Sequence, residues 1–194
     1  MGWKDSNNLK LREELQKITE NMNNHGENVG RQIVLINNLA REYPHSIKII
    51  EEAKQTEDDS WRYNCYMFAF DLRGKKELND VGLRIYKILP DSQFAIYLLK
   101  DHLSEIKPEE VQDGDYVIYF EDGRPTHAGK VCGQNIVSKW GTAHRWQHGL
   151  YEVPLNYGNG IKFCKQLAPD RCLKTYLEWA NQAKERRKAN YKNL

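Results

Sequence analysis

The 194-residue chain reads as an α+β protein, and three observations predict this. Amphipathic helical periodicity dominates its first third. Short β-type runs, separated by turn residues, crowd the stretch from 113 to 166. A helix opened by proline then closes the chain. Helices and strands that are segregated rather than alternating imply a central antiparallel sheet, here of about four to five strands, with N-terminal helices and a C-terminal helix.

The first helix rests on Leu11, Leu15, Ile18 and Met22, which recur at helical spacing with charged residues between them. The Asn- and Gly-rich run from Asn21 to Gly30 breaks it. A second helix is predicted over Arg31–Glu42, with Pro44 ending it because the residue before proline avoids helical geometry. A short helix over Ser46–Gln55 would follow. The apolar stripe of this segment can pack on the core or on a partner protein. Thr56–Ser60 reads as a loop. Asn64 is then a good N-cap and Gly74 a good stop, and the nearly apolar run between them reads as a buried helix with Cys65 in its first turn. Lys75–Pro90 fits either period, and Ser92–His102 reads as a helix.

In the second half, Asp113-Gly114-Asp115 turns into a strand at Tyr116–Phe120. Further strands are predicted over Thr126–Cys132, Asn135–Trp140 and Gly160–Gln166, with a long loop from Gly141 to Gly158. Pro169, at an N1-like position, opens the last helix, whose inner face is Leu173, Tyr176, Leu177, Ala180 and Ala183. A helical N-terminal segment, 1–55, and an α+β domain, 56–194, follow from this pass, with no linker between them and expected to form one compact unit.

Composition narrows the function classes. Lys and Arg total 29 against 27 Asp and Glu, a net charge of +2, so a chain-wide nucleic-acid role is not expected. Mean hydropathy is −0.80, and no apolar run is long enough to span a bilayer. The polar start, Met1 to Lys10, is unlike a Sec signal, which predicts a cytoplasmic protein or one exported by a non-Sec route. The four cysteines form no CxxC pair and no zinc spacing. Reduced thiols are therefore expected, with Cys132, Cys164 and Cys172 as core or semi-buried residues. No cofactor or metal is expected. His144 and His148 are spaced like a helical metal pair, but the glycines and aromatics around them suggest a loop.

One pairing carries chemistry. A cysteine at the start of a buried helix is followed, far along the chain, by a strand that begins Thr126-His127-Ala128-Gly129. A thiol needs ionisation to become a nucleophile. A helix N-terminus and a neighbouring imidazole both promote it. A polar residue on the next strand, Ser138 or Lys139, can orient the imidazole. The Cys65 amide is a generic oxyanion donor, with Trp61 and Tyr63 as candidate cleft walls or donors. Trp140, Trp146, Tyr151 and Tyr157 either line a cleft or close the open end of the sheet. The basic run from Lys184 to Lys192 suits a solvated helix end.

Asn64-Cys65 opening an apolar helix resembles the nucleophile motif of papain-like, NlpC-type cysteine hydrolases. Gly114-Asp115-Tyr116 and the following apolar strand, then His127-Ala128-Gly129, resemble that superfamily's next two motifs, in the same order. A bacterial group of this fold is similar over roughly Trp61 to Lys165, through Asn64-Cys65, Thr126-His127-Ala128, Ser138-Lys139-Trp140-Gly141, His148-Gly149-Leu150 and Tyr157-Gly158. The resemblance implies Cys65 as nucleophile, His127 as base, and a third polar residue at Ser138 or Lys139. It makes Asn64, Lys139, Trp140 and His148 candidates for substrate or oxyanion contacts. The family's usual third residue is His, Asn or Gln, and its common Asp-Cys-Ser-Gly motif is replaced here by Asn64-Cys65-Tyr66-Met67, so peptidoglycan is not implied as substrate. The expected activity is attack on a peptide, isopeptide or side-chain amide. The alternative is a papain-like binding module or secreted effector without turnover, whose N-terminal helices contact a partner.

Overall fold

The computed structural model describes residues 8–20, 28–52, 63–79, 83, 88–140 and 144–192. Met22, the loop at 56–60, Trp61, Gly141 and most of 80–87 fall outside them. The elements run α1 (Leu9–Glu20), α2 (Asn28–Glu42), β1 (Ile47–Glu51), α3 (Cys65–Ala69), α4 (Ser92–Asp101), β2 (Glu105–Ile106), β3 (Tyr116–Glu121), β4 (Arg124–Cys132), β5 (Asn135–Lys139), β6 (Arg145–His148), β7 (Gly160–Cys164) and α5 (Pro169–Lys192). The strands form one seven-stranded sheet in the order β1-β6-β5-β4-β3-β7-β2, with antiparallel pairing throughout.

The α+β class and the closing helix hold, but seven strands replace the expected four to five. The predicted helix over 46–55 is instead β1, an edge strand paired with β6, and β6 itself runs through the predicted loop 141–158. The buried helix after Asn64 is also shorter than predicted. It ends at Ala69, and the chain turns through Asp71 at φ +54° well before Gly74.

Alternation along β3 explains why both sheet faces are covered. Tyr116 and Ile118 face a core built with Tyr66, Ala69 and Phe70 of α3, Phe94 and Leu98 of α4, and Tyr176 and Trp179 of α5. Val117 and Tyr119 face the opposite core with Val131, Ile136, Val153 and Phe163. Next to that second core, Leu11 and Leu15 of α1 and Ile36 and Leu39 of α2 close over Ile47, Trp140 and Trp146. The N-terminal helices therefore pack on the sheet. A strand buried on both faces reads as a continuous apolar run, which is the pattern of Tyr116–Phe120.

Two turns fix the register. Asp122 and Gly123, both at positive φ, form a tight link between β3 and β4, as the Asp-Gly pair favours. Asp115, 2% exposed, accepts from the amides of Gln112 (2.8 Å) and Gln166 (3.1 Å) and from Lys165 Nζ (3.2 Å). The Gly-Asp motif thus clamps the start of β3 to the end of β7.

Candidate active site

Asn64 builds the nucleophile's position. Its Oδ1 accepts from the Met67 amide at 2.8 Å, capping α3, while its Nδ2 donates to the Pro90 carbonyl at 2.7 Å. Both ends of the side chain are occupied by scaffold, so Asn64 serves as a strut rather than an oxyanion donor. Cys65 follows in the first turn and is half-buried.

The strand geometry then brings β4 to the sulfur. The Val131 amide donates to the Asp115 carbonyl, on the β3 side. Amides alternate sides along a strand, so those of Lys130 and Ala128 point toward β5. The β4–β5 pairing stops at Gly129↔Ser138, one step short of Ala128. The Ala128 amide is left over from the ladder, and its N–H dipole, with those of Tyr66 and Cys65, acts on the Cys65 sulfur. These contacts favour the thiolate. Burial outweighs them and pushes the thiol up to about 11.

His127 precedes Ala128 and is 1% exposed. Its ring stacks on Tyr157 with centroids 4.1 Å apart and planes at 17°, and it lies 5.5 Å from the Tyr119 ring. Thr126 completes this unit, because its hydroxyl is 2.6 Å from the Tyr157 carbonyl. The Thr-His-Ala motif therefore has three separate tasks: Thr126 holds the Tyr157 backbone, His127 lies against the Tyr157 ring, and Ala128 contacts the sulfur. Burial, then the nearby His148, holds the His127 imidazole well below its ordinary value, so it is neutral at pH 7. Its Nε2 is buried without a hydrogen-bond partner.

Ser138 does not orient His127 as expected. Its hydroxyl lies 2.8 Å from Nε2 of His148, whose Nδ1 lies 2.8 Å from the Gly149 carbonyl. A carbonyl only accepts, so Nδ1 carries the proton and Ser138 donates to Nε2. Burial lowers His148 to about 4, consistent with that neutral tautomer. Ser138 and His148 are thus a closed pair beside His127.

Lys139 projects from the opposite face to Ser138, as a strand requires. It is 2% exposed, with Nζ 4.6 Å from the centroid of the Tyr63 ring. Burial lowers it to about 8. Trp140 is fully buried and stacked on Trp146 at 4.9 Å, so both fill the core under α1 and α2 rather than line a cleft. Trp61 lies outside the described residues. Of the remaining thiols, Cys164 and Cys172 are buried as expected, but Cys132, the last residue of β4, is exposed. Among the described residues, no group of three or more His, Cys, Asp or Glu is placed to hold a metal ion. Among the described residues, no helix is long and apolar enough to cross a membrane.

Sequence reasoning missed Arg12, which holds the loop bearing Tyr157. It also missed Arg73, Arg145 and Glu51, which surround Tyr63. Tyr157 carried a signal in its Tyr-Gly motif. The four charged residues carried none, since each looks like an ordinary surface position until the strands pair.

No curated protein and no solved structure matches the chain. One protein family does, over residues 54–165, which include Cys65, His127, Ser138, His148 and Tyr157. That match spans more than half of the sequence, and the chain belongs to this family, DUF7689, a domain of unknown function.

Proposed function

We propose that the protein is a cysteine-dependent hydrolase or acyltransferase of papain-like type, acting on a peptide, isopeptide or side-chain amide. Cys65 is the nucleophile and His127 its base. The observation that supports this reading is Ala128, which belongs to the core that Cys65 packs against and directly follows His127, a buried imidazole whose Nε2 has no hydrogen-bond partner. The His127 ring faces the other side of β4, so the proton passes round Ala128 at the end of the β4–β5 ladder. The resting pair is a thiol and a neutral imidazole. When an amide carbonyl enters, the thiol proton passes to His127 as sulfur bonds to the carbonyl carbon. The developing oxyanion takes up backbone amides at the start of α3. His127 returns the proton to the leaving nitrogen as the C–N bond breaks. Water or an amine then resolves the thioester. Tyr157, stacked on the ring, positions His127 without touching the reacting atoms.

A second reading, a papain-like binding module or secreted effector without turnover, draws on the raised thiol and the stacked imidazole, which describe an unreactive resting state. Labelling with a peptidyl vinyl sulfone separates the two. The hydrolase reading expects an adduct on Cys65, none in Cys65→Ala, and labelling slowed about 100-fold or more in His127→Ala, the usual scale for loss of a general base. Equal labelling of Cys65 in wild type and His127→Ala would overturn it.

A further inference from the structure

Cations gather beside α3. The Arg73 guanidinium lies 4.4 Å from the centroid of the Tyr63 ring, and Lys139 Nζ lies 4.6 Å from it. The Arg145 guanidinium lies 5.5 Å from the centroid of the Phe68 ring. Arg73 and Arg145 lean on one carboxylate, Glu51, at 2.9 and 3.1 Å. A carboxylate shared by two guanidinium groups leaves the cluster net positive, and aromatic rings hold such cations in fixed positions. The cluster reaches water, with side-chain exposures of 41% for Arg73, 34% for Glu51 and 28% for Arg145.

Its place relative to the sulfur follows from the elements. Tyr63 leads directly into the Asn64 cap. Phe68 lies one turn beyond Cys65, on the same side of α3. Lys139 follows Ser138, where the β4–β5 ladder ends and the Ala128 amide turns to the sulfur. The cations therefore gather around the two rings that bracket Cys65 in the chain, with Lys139 and Arg145 paired on neighbouring strands.

We propose that Arg73, Arg145 and Lys139 form a subsite for a carboxylate on the substrate that Cys65 attacks, borne on an acidic side chain or at a chain terminus; this rests on Cys65 being the nucleophile. Planar guanidinium groups suit a carboxylate bidentately, and Glu51 holds them apart until it arrives.

Two alkylating agents read the local charge without a known substrate. Iodoacetate is anionic and iodoacetamide neutral, so the ratio of their rates at one thiol cancels its thiolate fraction. At pH 7 and low salt, with adducts mapped by mass spectrometry, the ratio at Cys65 is expected to be about 3-fold or more above that of N-acetylcysteinamide. Glu51→Gln raises it further, Arg73→Gln and Arg145→Gln lower it, and 0.5 M NaCl compresses it, as about 4 Å of screening length requires. A loosened fold cannot produce the opposite signs of Glu51→Gln and Arg73→Gln. A ratio equal to that of the free thiol, or unmoved by both variants, overturns the subsite.

Protection of Cys65 by acetyl-Ala-Glu-Ala-amide assigns a side-chain carboxylate, and protection by acetyl-Ala-Gln-Ala free acid assigns a terminal one. Equal protection by acetyl-Ala-Gln-Ala-amide overturns the proposal. The two failures are distinguishable. A flat ratio with His127-dependent vinyl sulfone labelling removes the subsite alone. A raised ratio without such labelling removes Cys65 as nucleophile, and the substrate role of the cluster with it.

Discussion

At Gly158 the backbone adopts φ +88°, and a Cβ built there would overlap the Phe120 carbonyl oxygen. The neighbouring Tyr157 supplies the ring on His127 and the carbonyl near Thr126, so the path of this loop sets the imidazole's surroundings. Gly158→Ala meets both a disfavoured dihedral and a backbone clash that no rotamer change relieves. It is expected to destabilise the protein by about 3 kcal/mol or more, read as a shift of the urea midpoint, since strain and overpacking coincide. A midpoint within error of wild type would mean that the loop does not press on β3. Residue identity alone singled out Cys65, His127 and Tyr157 as candidates. It misassigned Ser138, because Ser138 and His127 face the same side of the sheet on neighbouring strands. The hydroxyl's choice of His148 depends on β6, a strand the sequence did not reveal.

Elements were legible where a period was long and clean. α2, α4 and α5 lie close to their predicted spans, because each carries about three or more turns of amphipathic pattern. β1 and β6 were not, because each is short and defined by its partner. Ile47 and Ile49 alternate with Lys48 and Ile50 for too few residues to exclude a helix, and pairing with β6 decides the matter. In β6, Trp146 and His148 point inward between Arg145 and Gln147, an alternation hidden among glycines and histidines. α1 was read correctly as amphipathic, yet its inner face includes a charge. Arg12, 1% exposed, donates to the carbonyls of Val153 (3.2 Å) and Gly158 (2.9 Å) and to Asn159 Oδ1 (2.6 Å). It thereby ties the first helix to the loop that carries Tyr157. Arg12→Met keeps the stem but strands two carbonyls. Its expected cost is about 3 kcal/mol, with hydrogen-exchange protection lost in 153–159 as well as in α1. Protection lost in α1 alone would show that the loop holds its shape without the helix.

On the scale of the whole molecule, burial holds three imidazoles, His127, His144 and His148, below the ordinary histidine value of 6.5, and two of them, His127 and His148, belong to the candidate site. The pH dependence follows from proton counts. Above pH 6.5 the two rings are neutral in the folded and unfolded chains alike, and their full contribution to stability is present. As the pH falls through 6.5, the unfolded chain takes up protons that the folded one refuses. The unfolded state then binds more protons, so stability must fall. For His148 the loss continues until about pH 4, where the folded form also titrates, and amounts to about 3 kcal/mol. His127 adds to it in the same direction. Against a typical total of roughly 5–15 kcal/mol, this predicts marked weakening above the pH range in which ordinary carboxylates titrate. Urea unfolding at pH 7.0, 5.5 and 4.5 should show a steadily falling midpoint, and His148→Gln, which cannot titrate, should make the fall shallower. A midpoint that holds constant from pH 7.0 to 4.5 would mean that the imidazoles are protonated in the folded protein. In that case the lowering of both rings by burial would have to be abandoned, and with it a His148 that stays neutral and accepts from Ser138 below pH 6.5.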